Sequence, residues 1–123
     1  MGELGVSMLL VGFALRGELT EEDCERFIRR LIENIGMTPS VGSTILKYPI
    51  EGRGGYGFTY FQPITESFIA VDTYDKLNGL YLVICSCKPF SLRSVLFVLG
   101  EFRLEIIEMS ENQLGLGHGE LPN

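Results

Sequence analysis

The sequence predicts an α+β fold, a two-layer sandwich in which a mainly antiparallel sheet carries two helices on one face. Apolar and alternating runs indicate six strands, and two runs with helical spacing follow the first and the fifth of them. Strands and helices do not alternate regularly, which argues against a parallel sheet with a helix between each pair of strands. At 123 residues the chain fits one domain with a sizeable core.

The first strand and the first helix carry the strongest signals. Residues 5–15 form an apolar run bounded by glycines, which predicts a buried central strand. Thr20 precedes three acidic residues and is suited to begin a helix, because side-chain oxygens there satisfy exposed N–H groups. Gly36 is suited to end the helix, since glycine readily adopts a positive φ. The apolar positions between them recur at helical spacing: Phe27, Ile28, Leu31, Ile32 and Ile35.

Four predicted strands occupy the middle of the chain. The segment between the second and the third strand, residues 51–55, is a glycine-rich turn, and Asn78-Gly79 marks a turn before the fifth strand. Alternation places Tyr56, Phe58 and Tyr60 on one face, either to stack on an adenine or a sulfonium cation or to pack under helices or across a dimer. The four strands are predicted at residues 43–48, 56–62, 67–73 and 80–87.

The last third of the chain predicts a second helix and an edge strand. Ser91 is a suitable N-cap and Gly100 a suitable end for the helix. Residues 103–109 alternate as a strand does, and residues 110–123 are expected to form a loosely held tail outside a domain of residues 1–109. The sheet face away from the helices has no predicted cover, which favours a homodimer. The predicted buried positions of the helix are Leu92, Val95, Leu96 and Leu99.

Composition excludes several classes of function. The net charge of −6 argues against nucleic-acid binding, which needs clustered Lys and Arg. No apolar run approaches the roughly 20 residues of a membrane span, and no signal peptide is recognised, so the expected location is cytoplasmic with reduced thiols. Cys24 is expected to fill space in the first helix. Cys85 and Cys87 share a strand face, but a zinc site needs three or four ligands, so no metal is predicted.

One stretch combines polar chemistry with an apolar strand, and its sequence is ITESFIAVDTYDKLNGLYLVICSC. Glu66 and Ser67 place a carboxylate and a hydroxyl side by side at the strand entrance, and Cys87 lies twenty residues after Ser67. This stretch resembles the core of the pyruvoyl-dependent S-adenosylmethionine decarboxylases of bacteria and archaea. That family carries a Glu-Ser-His-Ile/Leu-x-Ile-His-Thr-Trp-Pro-Glu segment, a glycine-containing turn, and a strand ending in Phe-Thr-Cys-Gly.

The resemblance extends beyond the motif. The interval from the serine to the cysteine matches without a gap, and the order of elements matches the small single-domain form of the family. Two family histidines are replaced, one by Phe68 directly after the serine and the other by Asp72. His118, in the predicted tail, is the one histidine of the chain.

The resemblance implies a specific chemistry. Decarboxylation of an α-amino acid needs an electron sink, which no standard side chain provides. These enzymes make the sink from their own chain: a serine hydroxyl attacks the preceding carbonyl, the peptide becomes an ester, and elimination leaves an N-terminal pyruvoyl group. By this resemblance Ser67 is the pyruvoyl precursor, Glu66 ends the N-terminal fragment and Thr59 is the processing hydroxyl. Cys87 is the proton donor, and Asp72 stands where a histidine assists cleavage.

The function implied by the resemblance is decarboxylation of S-adenosylmethionine or a similar small molecule for polyamine (spermidine) biosynthesis. Glu66 and Phe68 are then also expected to contact the substrate. The replaced histidines keep two alternatives open. One is an unprocessed, non-catalytic relative that binds a small ligand or serves as an assembly module. The other is a decarboxylase of another amino acid, such as arginine.

Overall fold

The computed structural model describes residues 7–49, 56–74 and 78–115, and it confirms the α+β sandwich. The predicted turn at residues 51–55 and the end of the predicted tail, which includes His118, lie outside the described residues. The elements in chain order are β1 (Ser7–Arg16), α1 (Glu21–Ile35), β2 (Thr44–Pro49), β3 (Tyr56–Ile64), β4 (Ser67–Tyr74), β5 (Gly79–Ser86), α2 (Leu92–Glu101) and β6 (Glu105–Gly115).

The six strands form one antiparallel sheet in the order β2-β3-β4-β5-β1-β6. Strands β2 to β5 follow one another as a meander, since each pairs with its neighbour in sequence. β1 inserts between β5 and β6, so the first strand of the chain becomes an inner strand, as its apolar sequence predicts. The start of β4 is therefore held from both sides, by β3 and by β5.

The core lies between the two helices and one face of the sheet. Alternation along each strand gives this face its apolar residues, and the predicted stripe of α1 is buried against them. Burying a side chain of this size stabilises the fold by roughly 1.5–3 kcal/mol relative to leaving it exposed. Buried sheet residues on this face include Val11, Phe13, Leu15, Ile69, Val71, Leu80, Leu82 and Ile84.

Helix α1 begins and ends at its predicted residues. The Thr20 hydroxyl accepts a hydrogen bond from the Asp23 N–H at 3.1 Å, and Gly36 adopts the left-handed conformation with φ 74°. Arg30 on α1 donates two hydrogen bonds to the Glu101 carboxylate on α2, at 3.2 and 3.0 Å. This bidentate pair fixes the two helices relative to each other.

Helix α2 turns a different face to the core than the sequence predicts. Its buried residues are Val95, Val98 and Leu99, whereas Leu96 is 43% exposed. The prediction for Leu96 was wrong because α2 packs through positions i, i+3 and i+4 counted from Val95, which places Leu96 on the outer side. The helix begins after Ser91 as predicted and ends at Glu101, one residue after Gly100.

Strand β6 is longer than the sequence predicts. It runs to Gly115 and pairs with β1 over that strand's full length, from Ser7–Gly115 to Arg16–Glu105, with one irregularity beside Ala14. Residues 110–115 are therefore strand and not tail. Their polar sequence fits this position, because an edge strand of the sheet is largely exposed to water.

The opposite side of the sheet is uncovered in the described part of the chain, and we call it the open face. Large apolar side chains point outwards there, including Leu46, Phe61 and Tyr81, which are 62%, 39% and 51% exposed. Among the described residues, no helix is long and apolar enough to cross a membrane.

Glycine is required at position 17, directly after β1, for two reasons: the backbone has a positive φ, and a side chain would have too little space. Its φ is 141°, and a Cβ at this position would lie 2.7 Å from a methyl carbon of Leu104. Replacing Gly17 with Ala should lower the free energy of unfolding by about 1–3 kcal/mol. Replacing Gly100 with Ala is the matched control, because a Cβ there meets nothing within 4 Å and alanine favours a helix by roughly 0.5–1 kcal/mol. Urea unfolding measures both changes, and equal stability of the two variants would contradict this role of Gly17.

Candidate active site

Ser67 is the first residue of β4 and sits between two partner strands. It pairs with Ile64 of β3 and with Ser86 of β5. Alternation places its side chain on the same face as the buried residues Ile69 and Val71. Ser67 itself is half-buried at the end of the sheet. The backbone of Ser67 is therefore fixed by the sheet, and its side chain lies at the sheet's margin.

A backbone hydrogen bond fixes the carbonyl oxygen of the peptide bond between Glu66 and Ser67. The Cys87 N–H donates a hydrogen bond to the Glu66 carbonyl oxygen at 3.1 Å, one position beyond the end of the β4–β5 ladder. The side chain of Cys87 is exposed. Three of the predicted site residues, Glu66, Ser67 and Cys87, thus lie together at one end of the sheet.

The segment that follows α1 forms one wall of this group. The Thr38 N–H donates to the Glu66 carboxylate at 3.2 Å, and the Thr38 carbonyl accepts from the Thr65 N–H at 2.7 Å. The Lys88 ammonium donates to the Gly36 carbonyl at 2.8 Å. Lys88 was not identified from the sequence, although it directly follows Cys87, at the place where the family motif has a glycine.

Two other predicted residues, Thr59 and Asp72, form a second polar group. The Thr59 hydroxyl donates to an Asp72 carboxylate oxygen at 2.8 Å, and the Tyr48 hydroxyl donates to the same oxygen at 2.8 Å. All three side chains lie on the open face. Tyr48 was not identified from the sequence, because its partner is 24 residues away and only the register of β2 and β3 brings them together.

The structure does not bring the two groups together within one chain. Asp72 follows Ser67 by five residues on the same strand. At about 3.3 Å per residue their α-carbons are about 16 Å apart, and an odd separation directs the side chains to opposite faces. Thr59 pairs with Asp72 and shares this distance from Ser67. The chain therefore carries two partial sites, one at each end of β4.

The aromatic residues near the site are divided between the two faces. Phe68, on the open face, stacks on Phe61 with ring centroids 5.2 Å apart. Phe58 and Tyr60 are buried under the helices, and the Tyr60 hydroxyl is bonded to the Ser43 hydroxyl at 2.8 Å. Phe58 and Tyr60 thus pack in the core, one of the roles that the sequence left open. The side chain of Tyr56 lies outside the described residues.

The three cysteines differ in environment. Burial, reinforced by the nearby Asp23 carboxylate, raises the pKa of the Cys24 thiol to about 12, so this thiol stays protonated and unreactive. Cys85 is buried and Cys87 is exposed, and none of the three forms a disulfide. Among the described residues, no three His, Cys, Asp or Glu side chains are grouped to hold a metal.

The fold defines a structural class, a six-stranded antiparallel sheet with two helices on one face. A solved structure of this class is the adenosylmethionine decarboxylase from Aquifex aeolicus VF5. It superposes with a TM-score of 0.57 over 90% of this chain and 88% of that chain, at 14% sequence identity. No protein-family model and no curated protein sequence matches this chain. The likeness therefore establishes a shared fold.

The exposure of Cys87 gives a direct prediction about thiol reactivity. At about pH 8 an alkylating reagent should modify Cys87 well before Cys24, because Cys24 is both inaccessible and protonated. Peptide mass mapping over a time course measures the two rates. In urea the labelling rates of Cys24 and Cys87 should become similar. This control shows that the difference in the folded protein comes from the fold. Equal labelling of Cys24 and Cys87 in the folded protein would contradict the burial described for Cys24.

Proposed function

We propose that this protein is a pyruvoyl-dependent decarboxylase of S-adenosylmethionine or a similar α-amino acid, and that it serves polyamine biosynthesis. The activity requires self-cleavage between Glu66 and Ser67. The observation that carries the proposal is the hydrogen bond from the Cys87 N–H to the Glu66 carbonyl oxygen at 3.1 Å. This is the carbonyl that a hydroxyl of Ser67 attacks in such a reaction.

The hydrogen bond favours the first chemical step. The Ser67 oxygen bonds to the Glu66 carbonyl carbon while a base takes the hydroxyl proton, and negative charge develops on the carbonyl oxygen. An N–H fixed in the backbone stabilises that charge without reorganising. The carbon–nitrogen bond then breaks and the nitrogen takes a proton, which converts the peptide to an ester. A base then removes the α-proton of residue 67, which expels Glu66 with a new main-chain carboxylate and leaves dehydroalanine. Hydrolysis of its imine form releases ammonia and leaves a pyruvoyl group.

The residues present fit such a group at position 67. A pyruvoyl carbonyl, once formed, supplies the electron sink for decarboxylation. The start of β4 is paired with Ile64 on one side and Ser86 on the other, so cleavage leaves the new chain end in place. Cys87 follows β5 directly and presents an exposed thiol at the same end of the sheet. Its role in the proposal is to protonate the substrate carbon after carbon dioxide has left.

In the proposed mechanism, the polar group of Thr59 and Asp72 reaches the cleavage site only in a homodimer. Asp72 and Thr59 lie about 16 Å from Ser67 in one chain and on the open face. Two open faces can pack about a two-fold axis that runs parallel to the sheets and across the strands. Such packing superimposes the start of β4 in one copy on the far end of β4 in the other. It also covers the exposed Leu46, Phe61 and Tyr81.

The processing proposal predicts a cleaved chain. A denaturing mass spectrum should show two fragments that separate between Glu66 and Ser67, the second with its serine converted to pyruvoyl. The variant Ser67→Ala should remain at the intact mass of 13.7 kDa and release no carbon dioxide from S-adenosylmethionine. Ser40→Ala is the matched control, since Ser40 is an exposed loop residue outside the site. An intact wild-type chain with undiminished carbon dioxide release in Ser67→Ala would overturn the proposal.

The homodimer proposal predicts complementation between two inactive variants. Asp72→Ala alone should stay intact, because no copy supplies the carboxylate. When Asp72→Ala is co-expressed with Ser67→Ala, a mixed dimer places the Asp72 of one chain over the open-face side of the Glu66–Ser67 peptide of the other. The Asp72→Ala chain should then be cleaved, and its fragment masses distinguish it from Ser67→Ala. Failure of cleavage in a purified mixed dimer would show that Asp72 does not act across the interface.

The separation of Ser67 from Thr59 and Asp72 within one chain favours a second function. In one chain the carboxylate nearest to Ser67 in sequence is Glu66, which the Thr38 N–H already engages. A chain that remains uncleaved would fit a non-catalytic relative that binds a small ligand. Calorimetry with S-adenosylmethionine distinguishes the two functions, because the non-catalytic protein binds without releasing carbon dioxide.

A further inference from the structure

We propose that a groove between α1 and β3 binds a small, uncharged aromatic heterocycle that donates a ring N–H hydrogen bond to Gln62. The groove has a volume of about 460 Å³, which is within the range of small-molecule sites. It lies on the helix-covered face, and neither Ser67 nor Cys87 lines it. The proposal is therefore independent of any decarboxylase activity.

The groove follows from the dimensions of the two layers. Six strands about 4.8 Å apart form a sheet roughly 24 Å wide, whereas two helices packed about 8–10 Å apart do not cover it completely. Beside β3 the edge strand β2 remains partly uncovered on this face, and its Ile45 is 37% exposed. Residues 37–43 pass along the outer side, where Met37, Pro39, Gly42 and Ser43 contribute to the lining.

The inner surface of the groove is apolar and favours an aromatic ligand. Ile28 and Ile32 of α1 line it on one side, and Tyr60 of β3 lines it on the other. Met37 adds a thioether, and each of these four side chains is at most 7% exposed. Methionine sulfur and tyrosine rings both make favourable contacts with aromatic rings. The core holds these four side chains, and each presents only a small part of its surface to the groove.

Gln62 gives the groove its polar specificity. Its amide nitrogen donates to the carbonyls of Val41 at 2.9 Å and Pro63 at 2.7 Å, which uses both N–H bonds. Its amide oxygen receives no hydrogen bond from any residue that the structure describes. Gln62 is only 9% exposed. Among the described residues, every fully buried polar side-chain atom has a hydrogen-bond partner. The oxygen must therefore remain accessible, and Gln62 lines the groove, where a ligand N–H can reach it.

The charges at the rim do not select a charged ligand. Arg29 pairs with Glu25 at 3.6 Å, and Glu33 pairs with Arg30 at 3.1 Å. Each acid that lines the groove thus has a basic partner on α1. Glu33 shares Arg30 with Glu101, so an anionic ligand would meet a rim with two acids and one base, Glu25, Glu33 and Arg29. A ligand of either charge would also lose hydration in an apolar site. An uncharged ring with one N–H donor matches both the lining and the rim.

Indole and 1-methylindole test the proposal directly on the full chain. The two molecules share the aromatic bicycle, but only indole carries the N–H donor. The protein contains no tryptophan, so the ligand's own fluorescence reports binding without tryptophan background. Indole should bind saturably with a blue-shifted emission, and 1-methylindole should bind about tenfold more weakly. Absence of saturable indole binding, or equal affinity for the two ligands, would overturn the proposal.

A pair of glycine variants locates the binding. Gly42 lines the groove, and a Cβ there meets nothing within 4 Å, so Gly42→Leu adds a side chain to the groove wall without a backbone clash. This variant should weaken indole binding at least tenfold. Gly100→Leu, at an equally open position on α2, should bind indole as the wild type does. Thermal unfolding confirms that both variants are folded. Unchanged indole affinity in a folded Gly42→Leu protein would refute this location.

Discussion

The backbone ladders on the two sides of β4 are the constraint on which the candidate active site depends. β3 and β5 hold this strand over its whole length, and the β5 side continues by one more hydrogen bond, from the Cys87 N–H to the Glu66 carbonyl. An ordinary ladder hydrogen bond contributes only about 0.5–1.5 kcal/mol to stability. At this position the same bond also polarises one particular peptide carbonyl. The chemistry proposed for the protein is thus an extension of the interactions that build the sheet.

The ladders also explain why the polar residues are divided. A strand directs alternate side chains to opposite faces, so no packing of one sheet can gather Ser67 and Asp72 around a single substrate. A fold of two layers leaves the open face without a cover from its own described residues. The two features coincide, because the uncovered face is also the face that carries Thr59 and Asp72. In the proposed homodimer, association covers this face and brings Thr59 and Asp72 of one copy over the start of β4 in the other.

Local sequence signals predicted much of this fold, whereas contacts between distant segments were not predictable. Helix α1 follows from Thr20, Gly36 and a strict apolar stripe, all of which act within one element. The length of β6 follows instead from the length of β1, and the outward position of Leu96 follows from how α2 meets the core. In the candidate site, the resemblance to the decarboxylase family motif predicted Glu66, Ser67 and Cys87. Tyr48, Lys88 and Gln62 acquire their partners only through tertiary structure.

The segment between α1 and β2 has two separate tasks, and this has a consequence for how the sequence can change. One side of it holds Glu66 through the Thr38 N–H, and the other side lines the groove through Met37 and Gly42. A connecting loop ordinarily tolerates substitutions and insertions well. Here a single insertion would disturb both the Thr38–Glu66 contact and the lining of the groove. Variation in this protein should therefore be lower in this loop than its exposure alone would suggest.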